Sequence, residues 1–88
     1  MIPSRYTKKP VTIEATRLNW VNIHDVAMWC GGTLIYGPKG ELEMIVIPTL
    51  EGTMTAYLGW WVIRGVKDEF YPCRNDIFEA TYEQAEEV

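Results

Sequence analysis

From Gly31 onward the chain is punctuated every few residues by turn signals: Gly31-Gly32, Gly37-Pro38-Lys39-Gly40, Glu51-Gly52, Leu58-Gly59 and Gly65-Val66-Lys67-Asp68. Glycine supplies the left-handed backbone that tight turns require and proline fixes φ, so only short elements fit between the signals. The intervening segments read as strands. Thr33 to Tyr36 is short, and Thr53 to Tyr57 alternates Thr with Met and Ala. Glu43 to Ile47 is nearly all apolar and β-branched, which places it centrally in a sheet. Trp60 to Arg64 and Glu69 to Tyr71 flank the Gly65-Asp68 signal as the arms of a hairpin.

Upstream of these turns the pattern differs. Val11 to Leu18 alternates, with Val11, Ile13 and Ala15 on one face and Thr12, Glu14 and Thr16 on the other, a period of two that predicts the first strand. Ile23, Val26, Ala27 and Cys30 follow at helical spacing and end at Gly31-Gly32, a left-handed stop. Asn22 stands as N-cap and Asp25 three residues later completes a capping-box arrangement, so one helix is expected over about residues 23 to 30. At the other end, Asn75-Asp76 suits a helical turn over residues 74 to 78, after which Ala80-Thr81-Tyr82-Glu83 reads as a short strand and Gln84 to Val88 as a frayed tail. The expected class is α+β: a mostly antiparallel sheet of five or six strands, open or rolled toward a barrel, covered by one short helix.

A chain of 88 residues buries only roughly 64% of its unfolded surface. A single domain over 1–88 follows, with an ordered core at about 8 to 83, and a separate cofactor or lid domain is excluded. Apolar residues at 48% and charged residues at 23% are ordinary for a globular protein. Net charge is −4, from eight Lys plus Arg against twelve Asp plus Glu, which runs against binding nucleic acid. The charge is uneven: residues 1 to 20 carry Arg5, Lys8, Lys9 and Arg17 against Glu14, whereas residues 68 to 88 carry seven acids against Arg74. Opposed ends of this kind pair with each other when terminal strands lie side by side, or pair between subunits; as single charges they are solvated faces. The Met1-Ile2-Pro3-Ser4-Arg5 start lacks a charged leader followed by an apolar run. No stretch approaches the roughly 20 apolar residues that span a bilayer. A cytoplasmic protein is expected, and in that compartment Cys30 and Cys73 read as two small hydrophobes rather than a disulfide.

Catalytic chemistry finds little support. Cysteine catalysis needs a base beside the thiol, and the sole histidine, His24, stands six residues from Cys30 on the expected helix, on a different face. No Cys or His pair has zinc-ligand spacing, and no cofactor motif occurs. Two carboxylate pairs are available, Glu41 with Glu43 on one strand face and Asp68 with Glu69 in a turn, but paired acids need a cleft to separate their pKa values.

The aromatic residues are more informative. Tyr57, Trp60, Trp61, Phe70 and Tyr71 fall within fifteen positions, and strand alternation sends neighbours to opposite faces. Trp61 and Ile63 share one face, Trp60, Val62 and Arg64 the other, so a core Trp61 presents Trp60 outward, with Tyr57 and the helix-borne Trp29 beside it. Either the helix covers that second face or it is an interaction surface, for which Trp, Tyr and Arg are the favoured residue types.

Thr49-Leu50-Glu51-Gly52-Thr53-Met54, the string Arg64-Gly65-Val66-Lys67-Asp68-Glu69-Phe70-Tyr71-Pro72-Cys73, and Asp76 to Glu83 together resemble a widespread family of small phage and prophage proteins. Lys8-Lys9-Pro10-Val11-Thr12-Ile13-Glu14-Ala15 is similar to that family's start. The resemblance covers about residues 8 to 83 and implies a phage origin and a location in the host cytoplasm, but it carries over no catalytic residue. The chain departs from the family at Leu58-Gly59-Trp60, where a Pro-Gly-Asp turn is common, so an aromatic replaces a polar turn residue. The leading expectation is a non-enzymatic phage accessory protein that binds a bacterial host protein or a second copy as a homodimer, through Tyr57, Trp60, Trp29, Arg64 and Tyr71. The main alternative is a protein that sequesters a small phosphorylated or nucleotide ligand, with Arg64, Lys67 and Arg74 on phosphate and an aromatic stacked on the base. A small hydrolase using Cys73 or paired carboxylates is the third. No cofactor, metal or membrane is expected.

Overall fold

In the computed structural model, which describes residues 1–85, the segments between the turns do form strands. The element order is β1 (Glu14–Arg17), α1 (Ile23–Cys30), β2 (Thr33–Tyr36), β3 (Leu42–Thr49), β4 (Gly52–Tyr57), β5 (Trp61–Arg64), β6 (Phe70–Cys73) and α2 (Asn75–Thr81). The fold is α+β. Every pairing is antiparallel. The strands divide into two three-stranded sheets, β1-β5-β6 and β2-β3-β4, so the expected single sheet is two and there is no closed barrel. The apolar segment Glu43 to Ile47 does occupy a central strand, β3.

The core lies where α1 meets both sheets. Ile23, Val26, Ala27 and Cys30 of α1 pack with Leu18, with Ile45, Ile47 and Ala56 of the second sheet and with Val62 of the first. Trp29, Leu34, Leu42, Leu58 and Phe70 close its margins. α1 ends as its glycines require: Gly31 has φ 67°, and the Gly32 N–H reaches the Ala27 carbonyl at 2.9 Å. Its N-terminus differs from expectation, because Asn22 is helical in backbone and makes no cap. The Asn22 side chain is engaged instead with the preceding turn, so the capping box with Asp25 does not form.

Strand β5 is buried on both sides. Val62 faces the main core, while Ile63, fully buried, lies outside that cluster on the face shared with Trp61. α2 covers this second face: Phe78 stacks on Trp61 with ring centroids 3.9 Å apart at 8°, and the Trp61 indole N–H donates to Asn75 Oδ1 at 2.9 Å. That cover corrects the expected C-terminal strand. Phe78 and Tyr82 stand one helical turn apart with rings 5.0 Å from each other, and docking them on the sheet carries the helix to Thr81. The terminal strands therefore do not lie side by side; β1 pairs with β5. Of the expected first strand only Glu14–Arg17 joins the ladder, because β5 offers four partners, Trp61 to Arg64. Of the tail expected from Gln84 onward, 86–88 fall outside the described residues.

Candidate interaction surface

The residues expected to act together are distributed over three places. Tyr57 and Trp60 do meet, edge to face at 5.2 Å, at the end of β4 where the Trp60 N–H bonds the Tyr57 carbonyl at 2.9 Å. Tyr57 is exposed and Trp60 half-buried. Trp29 stands apart from them, packed edge to face on Phe70 at 4.9 Å. Tyr71 belongs to the face under α2, its hydroxyl 3.5 Å from that of Tyr82. Burial first, and Tyr82 next, push the Tyr71 hydroxyl well above its usual pKa.

The three cations of the phosphate alternative do not converge on open space. Arg64 is held by Glu14 at 3.1 Å and Asp68 at 2.8 Å, within the hairpin whose turn sets Asp68 at φ 60°. Arg74 forms a two-pronged pair with Asp76, at 3.1 and 2.7 Å, which raises the guanidinium pKa and lowers that of the carboxyl. Lys67 is exposed on the same turn as Asp68. Two grooves mark the surface. One of about 330 Å³ lies between the β3-β4 turn and β6, its lining including Leu50, Met54, Phe70, Pro72, Glu51 and Glu69. The other, about 640 Å³, runs between the Val11–Ala15 segment and α2. Neither lining includes an arginine or lysine.

Burial raises the Cys30 pKa, and Cys73 is raised by partial burial and by Asp76 against a smaller opposing pull from Arg74. The Cys73 thiol contacts the Arg74 carbonyl at 3.5 Å, so its proton is held by an acceptor that cannot act as a base. Glu41 and Glu43 do lie together, both carboxylates over Gly37, where a Cβ would collide with them, and Glu41 Oε2 is buried without a hydrogen-bond partner. Among the described residues no group of three or more His, Cys, Asp or Glu could hold a metal ion, and no helix is long and apolar enough to cross a membrane.

Three exposed large apolar side chains lie close together in the chain elsewhere, at Trp20 (67%), Val21 (92%) and Met28 (84%); Leu50 (77%) is exposed in the β3-β4 turn. Met28 is on the outer face of α1, whereas Trp20 and Val21 are presented by the turn before it. Asn19 Oδ1 accepts from the Val21 and Asn22 N–H groups at 2.8 and 2.9 Å, Asn22 Oδ1 accepts from the Asn19 N–H at 2.9 Å, and Asn22 Nδ2 donates to the Arg17 carbonyl at 2.8 Å. Two asparagines thus cross-brace the four-residue turn Asn19–Asn22 and hold an indole outward on it. The signal was in the sequence: Asn19-x-x-Asn22 brackets Trp20-Val21, and Val21, His24, Asp25 and Met28 repeat at helical spacing two positions behind the core stripe. No family model matches the chain, and no curated protein or solved structure matches it either.

Proposed function

We propose that the chain is a non-enzymatic accessory protein of a phage or prophage that acts in the host cytoplasm by binding protein, either a host factor or a second copy of itself. The observation that carries this reading is the braced Trp20-Val21 turn, which presents a large indole on a rigid, hydrogen-bonded mount. A rigid exposed Trp loses little entropy on contact and is the residue type most enriched in binding hot spots. The exposed Tyr57, backed by Trp60, adds a second aromatic element, and Trp60 is where the chain departs from the family it resembles.

Native mass spectrometry of the protein recovered from infected cells tests the reading. We expect masses above the 10.2 kDa chain, as a dimer or as a complex with one host protein, and loss of that species in Trp20→Asp. A bare monomer in both proteins would overturn it. So would a retained phosphorylated small molecule, which would favour sequestration.

A further inference from the structure

Helix α1 carries two stripes. Ile23, Val26, Ala27 and Cys30 form the buried one; His24, Asp25 and Met28 form the exposed one, and Val21, exposed in the turn just before the helix, continues it at the same i, i+3, i+4, i+7 spacing in sequence. The exposed stripe has apolar ends and a polar centre, and that centre has a direction. Laid antiparallel on its own copy about a point between His24 and Asp25, it opposes Val21 to Met28 and His24 to Asp25, and the same contacts recur in reverse order. Laid parallel, it would oppose Asp25 to Asp25. The stripe is therefore complementary to itself in one orientation, which is the condition for a closed two-fold interface. The antiparallel arrangement also sets the positive N-terminal end of each helix beside the negative C-terminal end of the other. Trp20, next to Val21 on the braced turn, stands at each end of the seam as an anchor.

We propose that two copies associate through this stripe, with Val21 packed on Met28, the His24 imidazole hydrogen-bonded to the Asp25 carboxylate of the second copy, and Trp20 closing both ends. The proposal rests on the protein-binding reading above and gives it a partner. An eight-residue helix is only about 12 Å long. The contact thus belongs to the small, transient interfaces below about 1,200 Å², and the dimer is expected to dissociate on dilution.

Sedimentation velocity over a concentration series tests the seam by charge exchange. His24→Glu sets a new carboxylate opposite Asp25 of the second copy, and Asp25→Lys removes the acceptor and sets an ammonium opposite His24; each alone is expected to weaken dimerisation about tenfold. Mixed in equal amounts, the two variants are expected to form a heterodimer tighter than either variant's own dimer, because the new acid then meets the new base while His24 meets Asp25. The double variant His24→Glu with Asp25→Lys should regain the homodimer. Both positions are exposed, and circular dichroism confirms that each variant stays folded. A wild-type dimer that neither variant perturbs, or a mixture that stays monomeric, overturns the α1 seam while leaving protein binding intact. A wild type that is monomeric at every concentration but retains a host protein overturns the second copy as occupant. A monomer with no retained protein overturns both readings.

Discussion

The two helices are held to the body of the fold by different means, α1 against both sheets and α2 against the β1-β5-β6 sheet. α1 ends on a left-handed glycine and buries four aliphatic or small side chains, and its buried neighbours on the two sheets are Ile, Ala and Val. α2 has no buried residue; it is fixed by one aromatic stack, one indole hydrogen bond and an exposed ion pair beside its first turn. Burial that is spread over a stripe is part of the global core, whereas a helix held at a few partly exposed points is free to open without the rest. The comparison teaches that covering a hydrophobic face and belonging to the core are separate properties, and β5 shows both, with Val62 in the cluster under α1 and Trp61 under α2.

The sharpest way to break the comparison is to truncate one anchor in each helix. Ile23→Ala, at a fully buried position, should cost about 2–5 kcal/mol in transfer and cavity terms. That is a large part of the ~4–13 kcal/mol expected for a domain of this size. Chemical denaturation should show the loss as a lower midpoint for every probe together. Phe78→Ala, at a half-buried position, should cost about 1–2 kcal/mol. Its clearest effect should be local: the Trp61 indole proton, bonded to Asn75 in the native protein, should exchange with solvent faster while the α1 amides keep their protection. Equal deprotection of both helices would show that α2 opens only with the core.

The same contrast explains what could be read without coordinates. α1 was legible to within a residue because its helical spacing, its glycine stop and its burial all agree. The strands from Thr33 to Cys73 were legible because glycine turns isolate them. Their division into two sheets was not, since alternation assigns residues to faces but cannot say which strand pairs with which. The segment after Ile77 was misread as strand because its helical state comes from a distant partner, Trp61, which local propensity does not see. The aromatic grouping was legible only where it is local: Tyr57 meets Trp60 three residues on, while the partner of the helix-borne Trp29, Phe70, is set by tertiary packing that strand alternation does not show. Trp20 was overlooked because an isolated Trp before a helix has no periodic signal, and only the two asparagine side chains reveal that it is displayed.

Glycine substitutions sharpen the comparison at the end of α1. Gly31→Ala leaves open space around the new Cβ but forces a left-handed residue at φ 67°, which costs about 1–2 kcal/mol. A melting temperature lower by about 4–8 °C per kcal/mol should follow. No sterically similar test exists for α2, whose C-cap Tyr82 is extended rather than left-handed. Replacing Gly31 with asparagine, which tolerates that backbone region better, should recover part of the loss, and an equal loss in both variants would place its cause in contacts instead of backbone conformation.

The smallest effect is expected at α2 and depends on pH. Arg74 grips Asp76 with two nitrogens and holds its carboxyl below the ordinary range, the Ile77 amide adding to the effect. Because the folded value lies below the unfolded one, about 3.9, the contribution is fully present above that pH and is lost as pH falls through the folded value. Both side chains are exposed to solvent, so salt screens the pair and the effect stays modest. Amide exchange corrected for its intrinsic pH dependence should therefore show α2 opening more readily near pH 3 than near pH 6. Asp76→Asn should make the opening of α2 independent of pH across that interval. If the variant keeps the wild-type acid response, that response belongs to another carboxylate and the Arg74–Asp76 pair only decorates the first turn of α2.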